Sequence, residues 1–568
     1  MSNLLRVDMK AGKVTEEPYS GDPLIGGRAL ISKVMDEEVE ATCDPLGSFN
    51  KLIIAPGTLG GTTVSCVNRI SIGGKSPLTG TIKESNSGGT IAYKLARLGL
   101  KGVIVEGLPE GDDLYALYLS KDKSELVPVN DLKDKPVYET AEQLLDKYGK
   151  KVGLMVIGPT GEKLYRAAGV ANTDNEGRPS RYCARGGLGA VFGSKRLKAV
   201  IIDDEGAEGP EIKDEGQFKE LRKQISDAIL NNEQVANSYT KLGTAGLVNL
   251  TNGLGALVTR NFSEGSFEGA ENINGQKLYE LITERGGEGN PSHSCMPGCL
   301  VRCSNIFPDE TGKTIVSPIE YETIGLMGSN CGIDSLDTIG QLNYLCNDLG
   351  LDTIEMGGVI GVLMEAGVVE FGDGEGALNL LKEVEKDSYL GKIMAAGATV
   401  TGKVFGVKRV PVAKDQVLAA YDPRAIKGLG VTYATSPMGG DHTAGQTLRA
   451  PVEHTKPEKQ VETSRNAQVM NTIHDCIGTC FFVGPGLSGD ITPMVEVANS
   501  MLGQSYTLDD FKQMAKETLL REKNFNKQAG FNEAHDRLPE FFYTEENPQV
   551  ETVFDVPDEE LKEVHKFD

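Results

Sequence analysis

The sequence predicts an α+β protein in which a β-sheet-rich N-terminal domain is followed by two mainly α-helical domains. Three observations carry that prediction. Short β-branched runs punctuated by glycine turns fill the chain up to about residue 208, and apolar residues recur at helical spacing beyond it. An acidic, glycine-rich stretch at 204–210, without periodicity, separates the two regimes. At 568 residues the chain exceeds what one core supports, and roughly 150 residues per domain gives three or four. We divide it at 1–208, 209–415 and 416–568.

Strands are expected at 51–55 before Pro56-Gly57, and at 102–106, 152–157 and 199–203. The first helix of the second part places Phe218, Leu221, Ile225 and Ile229 on one face. A further helix at 337–349 carries a stripe from Ile339 to Leu349 and stops at Gly350, and Asp352 with Glu355 reads as a capping box for the next one. Near the end Thr507 caps a helix bearing Phe511, Met514, Ala515 and Leu519. The last twenty residues read as an acidic tail.

A net charge of −23 excludes a nucleic-acid footprint and would be repelled by an anionic membrane surface. No run approaches the ~20 uncharged apolar residues of a spanning helix, and charge arrives at Arg6 and Asp8 before any long apolar stretch. Ten cysteines in this length, unevenly placed, do not make a disulfide framework. A cytoplasmic protein in a reducing compartment is expected.

The densest chemistry lies at 292–303, where Cys295, Cys299 and Cys303 fall within nine residues. An uninterrupted helix would put all three thiols on one face, but Pro297 and Gly298 break it and predict a loop curled around something. A metal centre is the natural occupant. Zinc usually takes C-x2-C pairs, whereas C-x3-C-x3-C with a fourth cysteine from far away suits an iron–sulfur cluster. Zinc held by His293 with the three near thiols is the alternative.

Two glycine clusters stand out. Gly73-Gly74-Lys75-Ser76 resembles a phosphate loop, but the first glycine of that motif would fall on Arg69, so a nucleotide triphosphatase is not expected. Shortly after it, Asn86-Ser87-Gly88-Gly89 precedes a helix with Ile91, Leu95 and Leu98 on one side. It reads either as an anion site made of free backbone N–H groups or as a simple turn. Farther on, Arg181 and Arg185 flank Gly186, Gly187 and Gly189. The dinucleotide fingerprint fails because Phe192 stands where its last glycine belongs, leaving either a site for a flat anionic ligand or a structural turn.

These pieces, taken in order over nearly the whole chain, resemble the tungsten-containing aldehyde ferredoxin oxidoreductase family. The resemblance implies a tungsten ion held between two pterin dithiolenes, a magnesium ion bridging the pterin phosphates, and a nearby [4Fe–4S] cluster. The N-terminal domain would form the pterin-binding base. It implies pterin contacts at Arg69, at Asn86, Ser87, Gly88 and Gly89, and at Arg185, Gly186 and Gly187. The family's repeated D-x-x-G-L-[CD] motif is matched by Asn347-Asp348-Leu349-Gly350-Leu351-Asp352, which brings in Asp348, Leu351 and Asp352. It is matched again by Asp475-Cys476-Ile477-Gly478-Thr479-Cys480, which brings in Asp475 and Thr479 and makes Cys480 the distant cluster ligand. The family's near cysteines are spaced C-x2-C-x3-C, which would start at Ser292, so the ligand set here is expected to be Cys295, Cys299, Cys303 and Cys480.

Pro318-Ile319-Glu320-Tyr321-Glu322-Thr323 resembles the family's P-E-Y-E-T stretch, in which the second glutamate faces the metal and handles protons. Glu322 is therefore the expected catalytic carboxylate, with Glu320 and Tyr321 beside it. His442, one of six histidines, matches the family's active-site histidine. In a related branch, the tungsten subunit of ATP-independent benzoyl-CoA reductases, a cysteine binds the metal, and Cys331 is the candidate for that role here. A small buried hydrophobe is the other reading of Cys331.

The implied activity is oxidation of an aldehyde to a carboxylic acid, with electrons passing through the cluster to ferredoxin or to a small iron–sulfur subunit in a homo- or hetero-oligomer. The first alternative keeps the cofactor but makes the protein a low-potential reductase of an aromatic acyl-CoA. The second, from another class, is a zinc-stabilised scaffold without turnover.

Overall fold

The computed structural model describes residues 2–567. Twelve strands make two six-stranded sheets: β1 (Asn3–Asp8), β2 (Lys13–Pro18), β3 (Leu52–Pro56), β4 (Ile70–Lys75), β5 (Ile82–Ser87), β6 (Leu100–Glu106), β7 (Tyr115–Ser120), β8 (Ser124–Pro128), β9 (Gly153–Val156), β10 (Val170–Thr173), β11 (Pro179–Cys183) and β12 (Leu197–Asp203). The first sheet runs β2-β1-β6-β3-β4-β5 and the second β11-β10-β9-β12-β7-β8. Pairing is antiparallel except where β1 meets β6 and β7 meets β12. Alternation explains the layering, because successive side chains point to opposite faces. Leu5, Val7, Leu52 and Ile54 of the first sheet share a core with Leu117, Leu119, Val200 and Ile202 of the second. The intervening Leu4, Ile53 and Ile104 pack instead under the helix Gly27–Glu38.

Beyond Asp203 the chain is mainly helical. The helix Glu215–Leu230 buries Phe218, Leu221, Ile225 and Ile229, and the helix Leu336–Leu349 ends at Gly350 in the left-handed conformation. The apolar cores do not divide at 415/416. One cluster unites residues such as Leu257, Leu326 and Tyr433 with Phe542 and Phe554, while another joins Ile229 and Tyr239 to Ile473, Met494 and Phe511. Among the described residues no helix is long and apolar enough to cross a membrane.

Several local expectations change. Gly73-Gly74-Lys75 lies within strand β4, and the Lys75 ammonium is held by the carbonyls of Ala41 and Cys43. In the Gly88-Gly89 turn, two of the N–H groups that an anion would need are already used: Gly89 N donates to Cys295 O at 2.8 Å and Thr90 N to Thr173 O at 2.9 Å. Asp352 caps the helix Thr353–Glu365 through Ile354 N, but Glu355 turns inward and accepts from Ala398 N and Val417 N, so the capping box does not form. A capping box does form at Thr507 with Asp510. The acidic tail docks, burying Phe554, Val556, Leu561 and Val564.

Candidate active site and metal centre

The three near cysteines sit on the connection between two antiparallel strands, β13 (Asn290–His293) and β14 (Ser304–Pro308). As Pro297 and Gly298 predict, the connection is a loop, with Gly298 at φ +75. Outside contacts fix it, among them Gly89 N on Cys295 O and Leu300 N on Ser65 Oγ at 3.1 Å. Cys480 follows the helix Gln460–Ile477, which ends in left-handed Gly478. Gly478 presses on Gly57 so closely that a Cβ on Gly57 would lie 2.0 Å from Gly478 N. This contact, with Cys480 N donating to Cys66 O at 2.7 Å, brings the distant cysteine to the others. Cys295, Cys303 and Cys480 line one cavity, and Cys299 lies within electrostatic reach of Cys295 and Cys480.

A fifth thiol, unnoticed in the sequence, stands beside the group. Cys66 Sγ stands 3.8 Å from Cys299 Sγ. No spacing rule points to Cys66, and only its positive φ of 65, unusual for a residue with a Cβ, marks it out.

Tetrahedral zinc with bonds of about 2.3 Å needs thiolates roughly 3.8 Å apart. Among the described residues, the one trio of candidate ligand atoms all within 4.8 Å of one another is Asp174, Glu176 and His293, which includes no thiol. The wider spread of the cysteines suits a polynuclear cluster. His293 also faces away: Nδ1 is 3.0 Å from Arg181 Nη2 and Nε2 is 2.7 Å from Glu176 Oε2, so the zinc site imagined with His293 is not formed. Burial pushes the Cys303 and Cys480 thiols up, so their thiolates need a cation to hold them.

Two cavities meet beside these sulfurs. The inner one, about 350 Å³, is lined by Arg69, Asn86, Arg185, Leu351 and Asp352 among others; the outer one is about 740 Å³. Glu320, Glu322, His442 and Cys480 line both. Asn305 fixes the segment that carries the glutamates by pairing with both Ile319 O and Ile319 N. The Glu322 Oε2 atom accepts from Ala420 N at 2.8 Å, while Oε1 is buried without a hydrogen-bond partner, 3.4 Å from His442 Nε2. Asp441 orients this end of the site by capping the turn through Thr443 N. Burial alone would raise the Asp441 carboxyl, but Lys83 and Arg185 outweigh it and hold the group ionised. Glu320 accepts from Thr244 Oγ1, and burial pushes its carboxyl up. Tyr321 reaches the outer cavity, but its hydroxyl donates to Ala420 O at 2.6 Å and is committed to the fold.

A polar chain crosses the inner wall. Arg69 Nε donates to Asn86 Oδ1 at 2.6 Å, Asn86 Nδ2 to Asp475 Oδ1 at 3.0 Å, and Arg28 joins Asp475 to Glu522. Next to it stands Glu84, which was not singled out in the sequence. Glu84 is 5% exposed, lines the inner cavity and leaves Oε1 unpartnered. Burial first, then the Asp475 charge, pushes its carboxyl up to about 8; burial raises Asp475 to about 6.

The glycines act at one remove. Gly88 lines the inner cavity, where a Cβ would come 3.1 Å from Cys295 Sγ, and the neighbouring Ser87 hydroxyl donates to Gly88 O. Gly89 packs on Thr173 O, Gly186 on the Lys83 side chain and Gly187 on Arg166 O. Arg185 is clamped by Gly440 O, Val417 O and Asp352. Asp475 and Thr479 line the outer cavity, and Thr479 Oγ1 lies 2.7 Å from His474 Nδ1. Gly89, Gly186 and Gly187 line neither cavity, and two further expected residues are not brought in. Asp348 points elsewhere and accepts from Tyr138 N, while Cys331 is buried in the helical core with its thiol on Leu326 O, so it does not reach the site as a metal ligand.

Models of the family described as aldehyde ferredoxin oxidoreductase match the N-terminal domain at residues 4–204 and domains 2 and 3 at residues 220–567. The chain belongs to the aldehyde ferredoxin oxidoreductase family. It is 32% identical to the tungsten-containing aldehyde ferredoxin oxidoreductase of Thermococcus kodakarensis, over 96% of this chain and 92% of that one. It is 31% identical to the same-named protein of Pyrococcus horikoshii, with the same coverage. As a member of this family it is an oxidoreductase, which removes the reading as a non-catalytic scaffold. The fold also matches a solved complex, the active site complex BamBC of benzoyl coenzyme A reductase with 1,5-dienoyl-CoA. There the TM-score is 0.81 at 19% identity, covering 99% of this chain and 93% of that one.

Proposed function

We propose that the protein oxidises aldehydes to carboxylic acids: RCHO + H2O → RCOO⁻ + 3 H⁺ + 2 e⁻. The observation that carries this reading is the junction of the two cavities, where Glu322 and His442 face a common space beside Cys480. The inner cavity has the donors and the unpartnered buried oxygen of Glu84 that a large polar cofactor would satisfy. Arg69, Asn86, Leu351 and Asp352 would hold a tungsten bis-pterin group there, with an accompanying magnesium ion, and Asp475 and Thr479 would face it from the outer cavity. When bound, that group supplies the two-electron redox centre. Cys295, Cys299, Cys303 and Cys480 would hold a [4Fe–4S] cluster next to it, passing electrons singly to ferredoxin or an iron–sulfur subunit of an oligomeric, cytoplasmic assembly.

Glu322 takes a proton at its free Oε1, and His442 Nε2, 3.4 Å away, orients that oxygen and shares the load. Reduction of an acyl-CoA is less well supported, because Arg69 and Arg449 are the sole arginines on the outer cavity wall and no lysine joins them. Several phosphates would call for more cations. The test is anaerobic, with reduction of an oxidised viologen dye by an aldehyde panel and oxidation of the reduced dye by an acyl-CoA panel, alongside tungsten and iron analysis. Aldehyde-dependent reduction by metal-loaded protein is expected; metal-loaded protein that responds to acyl-CoA alone would refute the reading.

A further inference from the structure

The outer cavity has a wall unlike the inner one. Four rings run along it in sequence: the Tyr239 and Phe482 centroids are 4.6 Å apart, Phe482 and Phe481 5.8 Å, and Phe481 and His474 6.4 Å, the last two pairs edge-on. Phe482, the second ring, also lines the inner cavity, so the row passes beside Cys480. At the Tyr239 end the exposed Arg449 guanidinium sits 5.8 Å from the ring centroid. A second set of rings reaches the reacting pair: Tyr321 lies 5.0 Å from Tyr421, and Tyr421 lies 5.6 Å from His442. All of these residues line the outer cavity, with Leu247, Leu448 and Met470 between them. Among the described residues, carboxylates line it through Glu320, Glu322 and Asp475, and the first two also line the inner cavity.

Size points the same way. At about 740 Å³ the cavity falls in the range of roughly 300–1,000 Å³ that takes a drug-sized ligand, far beyond what a two-carbon aldehyde fills. A small aldehyde would leave most of the apolar wall in contact with water. An aromatic body would cover it and meet the partly exposed rings of Phe481 and Phe482 in the offset and edge-on arrangements that such groups prefer.

We propose that this protein selects aromatic aldehydes over short aliphatic ones, seating the ring in the row Tyr239–Phe482–Phe481 with the carbonyl at Glu322 and His442. The inference rests on the aldehyde-oxidising reading and specifies its substrate class. The reaction is ArCHO + H2O → ArCOO⁻ + 3 H⁺ + 2 e⁻, with two equivalents of a one-electron viologen dye each taking one electron.

The test uses metal-loaded holoenzyme and kcat/KM for benzaldehyde and phenylacetaldehyde against acetaldehyde and propionaldehyde. The aromatic substrates should lead by about tenfold or more. Phe481→Leu and Tyr239→Leu should each narrow that lead by about two- to tenfold, the equivalent of an aromatic pair. A readout independent of turnover is saturation-transfer NMR with the products, in which benzoate ring protons should receive saturation and acetate should not. Equal or better use of acetaldehyde by the unaltered enzyme would overturn the inference, even if both variants failed to fold. Loaded enzyme that oxidises no aldehyde at all would remove the underlying function, and this inference with it.

Discussion

The inner and outer cavities share Glu320, Glu322, His442 and Cys480, yet their walls are built on opposite principles. The inner wall is a set of buried ion pairs: Lys83 with Asp441 at 3.2 Å, Arg185 with Asp352 at 3.3 Å, and Arg69 feeding through Asn86 into the Asp475–Arg28–Glu522 chain. Buried charges are tolerated only when paired, and the pairing leaves little freedom to move. The outer wall is aromatic and aliphatic, with interactions that carry little directional demand. The contrast separates a place built to hold one polar group permanently from a place built to admit and release apolar molecules. Glu84 is the inner wall's exception, a buried carboxyl without a cation of its own.

The contrast can be broken most severely at the shared boundary. In Cys480→Ala, iron and electron transfer to ferredoxin should both fall to background; iron retained at the level of the unaltered protein would show that Cys480 is not a ligand. Glu322→Gln removes the proton acceptor but leaves the inner wall intact. It should lower kcat by about 10²–10⁴ at unchanged tungsten content, and unchanged kcat would shift the role to His442. Gly57→Ala drives a methyl into Gly478, where the ideal Cβ would lie 2.0 Å from nitrogen. Unfolding free energy should drop by about 1–3 kcal/mol and iron content should fall with it, whereas full iron occupancy would mean that Cys480 does not depend on this contact.

Smaller effects sharpen the comparison. The folded-state pKa of Glu84 is raised to about 8 from an ordinary 4.5. The native protein therefore keeps a proton that the unfolded chain has released between those values, and stability falls as pH rises through that window. Glu84→Gln should flatten the fall, read as the thermal midpoint of cofactor-free protein between pH 5 and 8; an unchanged slope would mean that Glu84 is ionised. Cys66→Ala should change least, keeping full iron because Cys66 adjoins Cys299 without belonging to the expected ligand set. Loss of iron would move Cys66 into that set.

What was legible in the sequence followed local rules. β-branched runs became strands β3, β6, β9 and β12, and the stripe Phe218, Leu221, Ile225, Ile229 became a buried helix face. The loop of three cysteines followed from Pro297 and Gly298, while Cys480, Glu322 and His442 were reachable through the family resemblance, although the near cysteines depart from the family's spacing. Residues recruited by tertiary contact were not. Glu84 and Cys66 carry no local signal, since one lies in a polar strand that happens to be covered and the other owes its place to an unusual backbone angle. Glu355 satisfied the capping pattern, yet two backbone N–H groups from other segments claimed it. Asp348 and Cys331 matched by position, but the helix face on which each stands points elsewhere.

Anomalous diffraction at the iron and tungsten edges, from crystals grown without oxygen, tests the account most directly. It predicts one iron peak enclosed by Cys295, Cys299, Cys303 and Cys480, and one tungsten peak at the junction facing Glu322 and His442. Iron found away from those four sulfurs, or a junction without tungsten in protein that oxidises aldehydes, would contradict it.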